Sequence, residues 1–123
     1  MSNIKIVIAG AAGRMGRTLV RQVAQTPGCV LAGALEAPGS EFLGRDAGAL
    51  AGLDTLGIAI TDDPLPLIAK ANAVLDFTSP TAAVIHAGLC AQARIAHVIA
   101  ATGFEPHHEA AIAAAARHAI IIK

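Results

Sequence analysis

The chain has 123 residues, with nine Lys and Arg against nine Asp and Glu, so its formal net charge is zero. This length allows one domain with a packed core and is too short for two domains. The charge balance argues against a nucleic-acid binder, which needs a basic surplus, and the absence of Trp and Tyr argues against a base-stacking surface.

The N-terminal region and the cysteines indicate the cellular compartment. No window holds the roughly 18–20 unbroken apolar residues that a membrane-spanning helix needs, and the first residues lack the organisation of a signal peptide. Cys29 and Cys90 lie far apart without a CxxC spacing, so both are expected to be buried, reduced thiols. We therefore expect a cytoplasmic protein with no membrane partner and no nucleic-acid partner.

Six apolar runs rich in β-branched residues recur along the chain, and most of them are continuous rather than alternating. Continuous runs are typical of parallel strands that are covered on both faces. The predicted strands are residues 4–9, 29–35, 58–61, 73–77, 97–101 and 119–122.

Stretches with helical spacing lie between these runs. The predicted helices are residues 14–25, a short helix beginning at Asp63-Pro64, residues 80–94 after Ser79, and residues 106–118. In the third helix, the residues predicted to face inward are Val84, Ile85, Leu89 and Cys90. Because strands and helices alternate, the sequence predicts an α/β fold, a Rossmann-type doubly wound parallel sheet of about six strands with helices on both faces. The Gly-rich segment 36–57 breaks the alternation and is predicted to be a long irregular connection.

A glycine-rich loop follows the first predicted strand and opens the first predicted helix. Its spacing is GxxGxxG, with Gly10, Gly13 and Gly16. Gly10 allows a sharp turn, Gly13 a close approach of backbone N–H groups to a pyrophosphate, and Gly16 close packing of the helix on the sheet. The helix N-terminus favours an anion at this place, and Arg14 adds a cation suited to phosphate.

Glu36 stands at the end of the second apolar run, directly after the predicted strand 29–35 and 20 positions after Gly16. A carboxylate at that position accepts hydrogen bonds from the ribose hydroxyls of adenosine. Its charge, followed by Ala37 rather than arginine, favours NADH over NADPH, although Arg14 or Arg17 would offset part of this preference and keep NADPH as the alternative. The motif also fits a stand-alone dinucleotide- or CoA-binding module, and the fold also fits another Rossmann dehydrogenase.

Four blocks of sequence resemble one family, 4-hydroxy-tetrahydrodipicolinate reductase (dihydrodipicolinate reductase) of bacterial lysine biosynthesis through diaminopimelate. The blocks are residues 8–17, 44–48, 76–80 and 98–104, and the resemblance extends over the whole chain. It implies an NAD(P)H-dependent oxidoreductase that transfers a hydride to a cyclic imine-type dicarboxylate, giving tetrahydrodipicolinate. In such enzymes the stretch corresponding to residues 1–123 is the dinucleotide-binding domain.

The resemblance also implies which residues hold the ligands. The implied cofactor-binding residues are Gly10, Ala11, Ala12, Gly13, Arg14 and Met15 at the pyrophosphate, Glu36 at the adenosine ribose, and Phe77, Thr78, Ala100, Ala101 and Thr102 farther along the chain. Thr102 and Gly103 are implied to reach the substrate. The family usually reads Gly-Thr-Thr-Gly-Phe where residues 100–104 read Ala-Ala-Thr-Gly-Phe, so the methyl groups at 100 and 101 would crowd the nicotinamide side, and one hydroxyl is missing.

No catalytic residue is expected within this chain. The resemblance implies that the catalytic His and Lys lie beyond Lys123, in a C-terminal domain that binds substrate and forms a homotetramer. We therefore expect the isolated chain to bind NADH but to turn over little or no substrate.

No metal site is expected either. His107 and His108 are adjacent on a predicted helix, so their side chains point about 100° apart and do not chelate one ion well. His86 and His97 have no partner at ligand spacing, and Asp76 is expected to order a neighbouring loop or to act in catalysis. The remaining acidic pair, Asp62-Asp63, is expected to cap a helix.

Overall fold

A computed structural model describes residues 3–101, 103–116 and 121–122 of the protein. Strands and helices alternate through them. The strands are β1 (Ile4–Ala9), β2 (Cys29–Leu35), β3 (Ile60–Thr61), β4 (Ala73–Asp76), β5 (Ala96–Ile99) and β6 (Ile121–Ile122). The helices are α1 (Arg14–Ala24), α2 (Ala47–Leu50), α3 (Pro64–Ile68), α4 (Pro80–Ala93) and α5 (Pro106–Ala115). None of these helices combines the length and the apolar character needed to span a bilayer.

The six strands form one sheet in the order β3-β2-β1-β4-β5-β6, and every pairing is parallel. Along the chain, strands are added outward from β1 through β2 to β3 on one side, and outward from β4 through β5 to β6 on the other. The chain connections on the two sides of the β1–β4 pair therefore run in opposite directions. A crevice opens at the carboxyl ends of β1 and β4, where ligands bind in doubly wound sheets. The predicted Rossmann-type sheet of six parallel strands is confirmed.

The core occupies both faces of the sheet. Ile8 of β1 packs with Val20 of α1 on one face, whereas its neighbour Val7 packs with Ile68 of α3 and Cys90 of α4 on the other. Successive residues of a strand point to opposite faces, and here both faces are apolar because helices cover both. This arrangement explains why the central strands read as continuous apolar runs.

Helix α4 buries only part of the face that was predicted to point inward: Cys90 is buried, whereas Ile85 is exposed. Its buried residues are Ala83, His86, Ala87 and Cys90. Ile85, predicted to face inward, is 57% exposed, and Val84 and Leu89 are only partly buried. The reason is that α4 packs through small alanines against β5 and α5, while His86 turns inward to a polar partner that hydropathy does not reveal.

The segment 36–57 is irregular as predicted, apart from the short helix α2, and Asp46 organises it. The Asp46 carboxylate accepts hydrogen bonds at 2.9–3.1 Å from the backbone N–H groups of Ala49, Leu56, Gly57 and Ile58. These bonds, the one from Ala49 foremost, hold the pKa of Asp46 below its ordinary value. One side chain thus replaces regular secondary structure as the source of order in this segment.

The predictions for the two cysteines and for residues 117–120 have different outcomes. Cys90 is buried as expected, but Cys29 is only partly buried at the start of β2. The predicted ends of the last helix and the start of the last strand, residues 117–120, lie outside the described residues.

Candidate functional site

A cavity of about 750 Å³ lies at the carboxyl ends of the central strands. Its walls come from the β1–α1 loop, the end of β2 with the following segment, the β4–α4 loop and the first turns of α4. The lining residues are Gly10, Ala12, Gly13, Leu35, Glu36, Ala37, Pro38, Ser40, Phe42, Asp62, Pro64, Phe77, Thr78, Ser79, Thr81, Ala82, Ile85 and His86. This volume lies within the range of small-molecule and cofactor pockets.

Two glycines of the β1–α1 loop occupy positions where a side chain does not fit. Gly10 has a φ of +84°, and a Cβ atom there would lie 3.0 Å from the carbonyl oxygen of Phe77. A Cβ atom on Gly16 would lie 2.0 Å from the carbonyl oxygen of Gly10 and 2.8 Å from the Cα atom of Ala11. The loop therefore turns tightly off β1 and brings α1 close against its own strand.

The N-terminus of α1 leaves backbone donors available at the cavity. Gly13 is the N-cap residue, and no side chain caps the helix there. The bond from the N–H of Arg17 to the carbonyl of Gly13, at 2.9 Å, closes the first turn. The amides of Arg14, Met15 and Gly16 therefore have no acceptor within the helix, which is the arrangement that binds anions at helix N-termini.

Glu36 reaches this loop directly. Its Oε2 atom accepts a hydrogen bond of 2.9 Å from the backbone N–H of Ala12, and its Oε1 atom lies 3.4 Å from the N–H of Ala37. Residues separated by 24 positions are thus joined on the cavity wall. The contact fixes the carboxylate beside the glycine loop, where it keeps further acceptor capacity for hydroxyl groups.

Two arginines lie beside the Glu36 end of the cavity. The Nε–H of Arg17 donates to the carbonyl of Ala12 at 2.8 Å, and its guanidinium lies 5.3 Å from the ring centroid of Phe42. The guanidinium of Arg45 lies 5.6 Å from the same ring. Both distances are within cation–π range, and Phe42 lines the cavity, so positive charge offsets Glu36 at this end.

A buried polar cluster, formed by Asp76, His86 and His97, borders the cavity. One carboxylate oxygen of Asp76, Oδ2, lies 2.8 Å from Nδ1 of His86 and 2.8 Å from Nε2 of His97. The other oxygen, Oδ1, accepts from the backbone N–H and the hydroxyl of Thr78. Burial alone would raise the pKa of Asp76, but these hydrogen bonds outweigh it, so the pKa lies well below its ordinary value.

This cluster corrects the prediction that His86 and His97 lack a spaced partner. Asp, His and His side chains with ligand atoms within 4.8 Å of one another are a combination that also binds metals, but both nitrogens here lie at hydrogen-bond distance from the carboxylate. Sequence spacing does not show the contact because it joins β4, α4 and β5. A usable signal was present: Asp76 and His97 interrupt otherwise apolar buried strands, and buried polar groups need partners.

Comparison with known proteins identifies the family. A family model described as "Dihydrodipicolinate reductase, N-terminus" matches residues 4–123. The chain belongs to this family. It is 58% identical over 118 residues to 4-hydroxy-tetrahydrodipicolinate reductase of Brucella abortus, covering 96% of the chain and 44% of the relative. It is 54% identical over 122 residues to the same enzyme of Sinorhizobium medicae, covering 99% of the chain and 45% of the relative.

Solved structures agree on the fold. Dipicolinate-bound dihydrodipicolinate reductase from Paenisporosarcina superposes with a TM-score of 0.69 at 24% identity, covering 93% of this chain and 43% of that one. Amine dehydrogenase from Mycobacterium smegmatis gives a TM-score of 0.71 at 24% identity, covering 94% and 36%. The chain thus spans less than half the length of these relatives, and it shares its fold with these two solved structures.

The residues implied by the resemblance to the dihydrodipicolinate reductase family fall into three groups. Those that line the cavity are Gly10, Ala12, Gly13, Glu36, Phe77 and Thr78. Ala11, Arg14 and Met15 belong to the same loop and first helical turn but are not part of the lining, and the Met15 side chain is 55% exposed. Ala100, Ala101 and Gly103 follow β5 and lie outside the lining, and Thr102 is outside the described residues.

Proposed function

We propose that this chain is the cofactor-binding half of an NAD(P)H-dependent 4-hydroxy-tetrahydrodipicolinate reductase. The proposal rests on its membership of the family and on the names of relatives more than 50% identical to it. One structural observation carries it. The Glu36 carboxylate lies 2.9 Å from the Ala12 amide of the glycine loop, on the wall of a cavity large enough for a nucleotide.

In this proposal each part of the dinucleotide is bound by its own set of residues. The free amides of Arg14 and Met15 at the start of α1, with the dipole of that helix, bind the pyrophosphate. Gly10 and Gly13 keep side chains out of its path, and Glu36 accepts hydrogen bonds from the ribose hydroxyls of adenosine. When bound, the reduced nicotinamide supplies the hydride, and the protein's task is to hold and orient it.

The preferred cofactor in this proposal is NADH. Glu36 is negative and Ala37 offers no cation, so the charge at the ribose repels the 2′-phosphate of NADPH. Arg17 and Arg45, both stacked on Phe42, reduce this repulsion without removing it. NADPH is therefore the weaker ligand rather than an excluded one.

The nicotinamide and substrate end of the site involves the segment after β5. Ala100, Ala101 and Thr102 border the nicotinamide in this proposal, while Thr102 and Gly103 extend to the dicarboxylate substrate. The proton donor and most carboxylate-binding groups come from the family's C-terminal domain, through which the full-length protein forms a homotetramer in the cytoplasm. A steady-state reductase assay on the 123-residue chain is expected to show little or no turnover, and a rate comparable to a full-length relative would contradict this division.

Isothermal titration of NADH into the folded chain tests the proposal. We expect saturable binding that weakens about tenfold or more in Glu36→Ala, since a hydrogen bond to a charged group contributes about 1.5–3 kcal/mol. Glu41→Ala is the matched control, because Glu41 is an exposed carboxylate in the neighbouring segment and is not part of the cavity lining. Absence of binding by a chain shown to be folded by circular dichroism, or equal losses in the two variants, would overturn the proposal.

A further inference from the structure

The Asp76 carboxylate is fully engaged by donors. His86 and His97 approach one oxygen, and the backbone N–H and hydroxyl of Thr78 approach the other. An ionised carboxylate can only accept hydrogen bonds. Each imidazole nitrogen that faces Asp76 must therefore carry a hydrogen, and this fixes Nδ1–H in His86 and Nε2–H in His97.

The second nitrogen of each ring decides where a further proton can go. The Nδ1 atom of His97 is fully buried and has no hydrogen-bond partner, the single such side-chain nitrogen or oxygen within residues 3–101, 103–116 and 121–122. Protonating it would bury an unpaired donor next to no acceptor, which is unfavourable. The surroundings of Nδ1 in His97 therefore disfavour a further hydrogen there.

His86 is placed differently from His97. Its ring is one of the groups that line the cavity, and its side chain keeps 9% exposure whereas that of His97 has none. Its Nδ1 atom faces the buried Asp76 carboxylate, so the opposite edge of the ring, which carries Nε2, is the part available to form the cavity wall. A proton added to the cluster therefore goes to Nε2 of His86, while Nδ1–H remains on Asp76.

We propose that His86 is a further cofactor-contacting residue, oriented by Asp76, and that its Nε2 atom takes up a proton from solvent when the dinucleotide binds. The inference rests on the proposed function, because it requires a dinucleotide in the same cavity. With both imidazoles neutral the cluster carries one negative charge, which opposes an anionic ligand. Protonation of His86 removes that net charge and adds a donor on the cavity wall, so proton and dinucleotide favour each other's binding.

Several other charged and titratable groups surround His86 and affect the coupling between its protonation and dinucleotide binding. Asp76 and His97 are the other members of the cluster, and the buried thiol of Cys90 on α4 interacts electrostatically with Asp76. Glu36 and Asp62 are the carboxylates of the cavity lining. Helix α3 contributes apolar residues, and α5 packs on α4 through Ile112 and Ala115. The titratable residues of α5 are His107, His108 and Glu109, in its first turns. These groups remain in any His86 variant, so a comparison between variants removes their contribution.

Calorimetry in buffers of different ionisation enthalpy counts the protons taken up on binding. We expect net uptake of part of one proton per NADH at pH 7. An average uptake of about half a proton over two pH units raises the NADH affinity about tenfold from pH 8 to pH 6, and we expect a rise of up to this size. In His86→Asn the side-chain amide still donates to Asp76 but cannot titrate, so both the uptake and this pH dependence are expected to disappear. In His97→Gln, which keeps a donor at the Nε2 position away from the cavity, both are expected to remain.

A nitrogen-detected NMR experiment on the unliganded wild type gives a test that does not depend on any variant folding. We expect the Nδ1–H tautomer for His86 and the Nε2–H tautomer for His97 at neutral pH. The reverse assignment for His86 would overturn the inference. Binding of NADH without proton uptake, or equal uptake in wild type and His86→Asn, would overturn it while leaving the proposed function intact, whereas absence of NADH binding would overturn both.

Discussion

Replacing Gly16 by alanine should separate α1 from β1. The added Cβ atom would lie 2.0 Å from the carbonyl oxygen of Gly10 and 2.8 Å from its carbonyl carbon, where contacts under 3.0 Å force a shift. Overpacking costs about 1–3 kcal/mol, and the upper end applies because the obstructing atoms are backbone and cannot rotate away. Alanine has a higher helix propensity than glycine, which stabilises the variant by about 1 kcal/mol. The expected net loss is therefore about 1–2 kcal/mol of unfolding free energy.

Gly88→Ala provides the matched control for this substitution. Gly88 lies inside α4, and among the described residues no atom beyond the adjoining residues and backbone of α4 lies within 4 Å of the Cβ position there. The same chemical change should therefore stabilise the protein by up to about 1 kcal/mol. Urea unfolding followed by far-ultraviolet circular dichroism measures both variants. With a urea m-value of about 1–2 kcal/mol/M, the midpoint should fall by about 1 M in Gly16→Ala and rise in Gly88→Ala. Equal midpoints in the two variants would refute the close packing of α1 on its strand.

Three further predictions concern charged and reactive groups. Glu36→Gln removes the charge but keeps the shape, so the ratio of NADPH to NADH affinity measured by calorimetry should rise, and an unchanged ratio would refute the charge argument. Folding lowers the pKa of Asp76, so the unfolded state binds more protons, and the free energy of unfolding falls as the pH drops below the ordinary value of 3.8. In Asp76→Asn this acid-induced fall in the free energy of unfolding, followed by acid titration, should be shallower, and an equal slope in the variant and the wild type would contradict the lowered pKa. Burial, with the nearby Asp76 charge, raises the pKa of the Cys90 thiol to about 12. Mass spectrometry after iodoacetamide treatment at pH 8 should therefore find Cys29 alkylated well before Cys90, and equal alkylation rates would contradict the burial of Cys90.

The fold could be predicted from the sequence because its short-range patterns of strands, loops and helix caps agree with one another. Strand β1 is a continuous apolar run that leads into a glycine loop, and Ser79 with Pro80 marks the start of α4, where the Ser79 hydroxyl accepts from the Ala82 amide. Each signal depends on residues close together in the chain. The position of Glu36 beside the loop was also predictable, because parallel strands β1 and β2 end at the same edge of the sheet.

The polar interior was not predictable in the same way. The contacts of Asp76 with His86 and His97 join residues 10 and 21 positions apart on three different elements, and no short-range pattern encodes them. The same contact holds His86 inward on α4, whereas Ile85, which the hydropathy pattern places inward, is exposed. The prediction for Ile85 was wrong because a buried carboxylate, as well as apolar area, determines which residues of α4 face the core.

A crystal structure of the chain with NADH would show whether the glycine loop and Glu36 hold the dinucleotide. We expect the pyrophosphate at the N-terminus of α1, above Gly13, and the ribose hydroxyls of adenosine about 2.6–3.2 Å from the Glu36 carboxylate, the range of such hydrogen bonds. A dinucleotide bound on another surface, or one whose ribose makes no contact with Glu36, would contradict it.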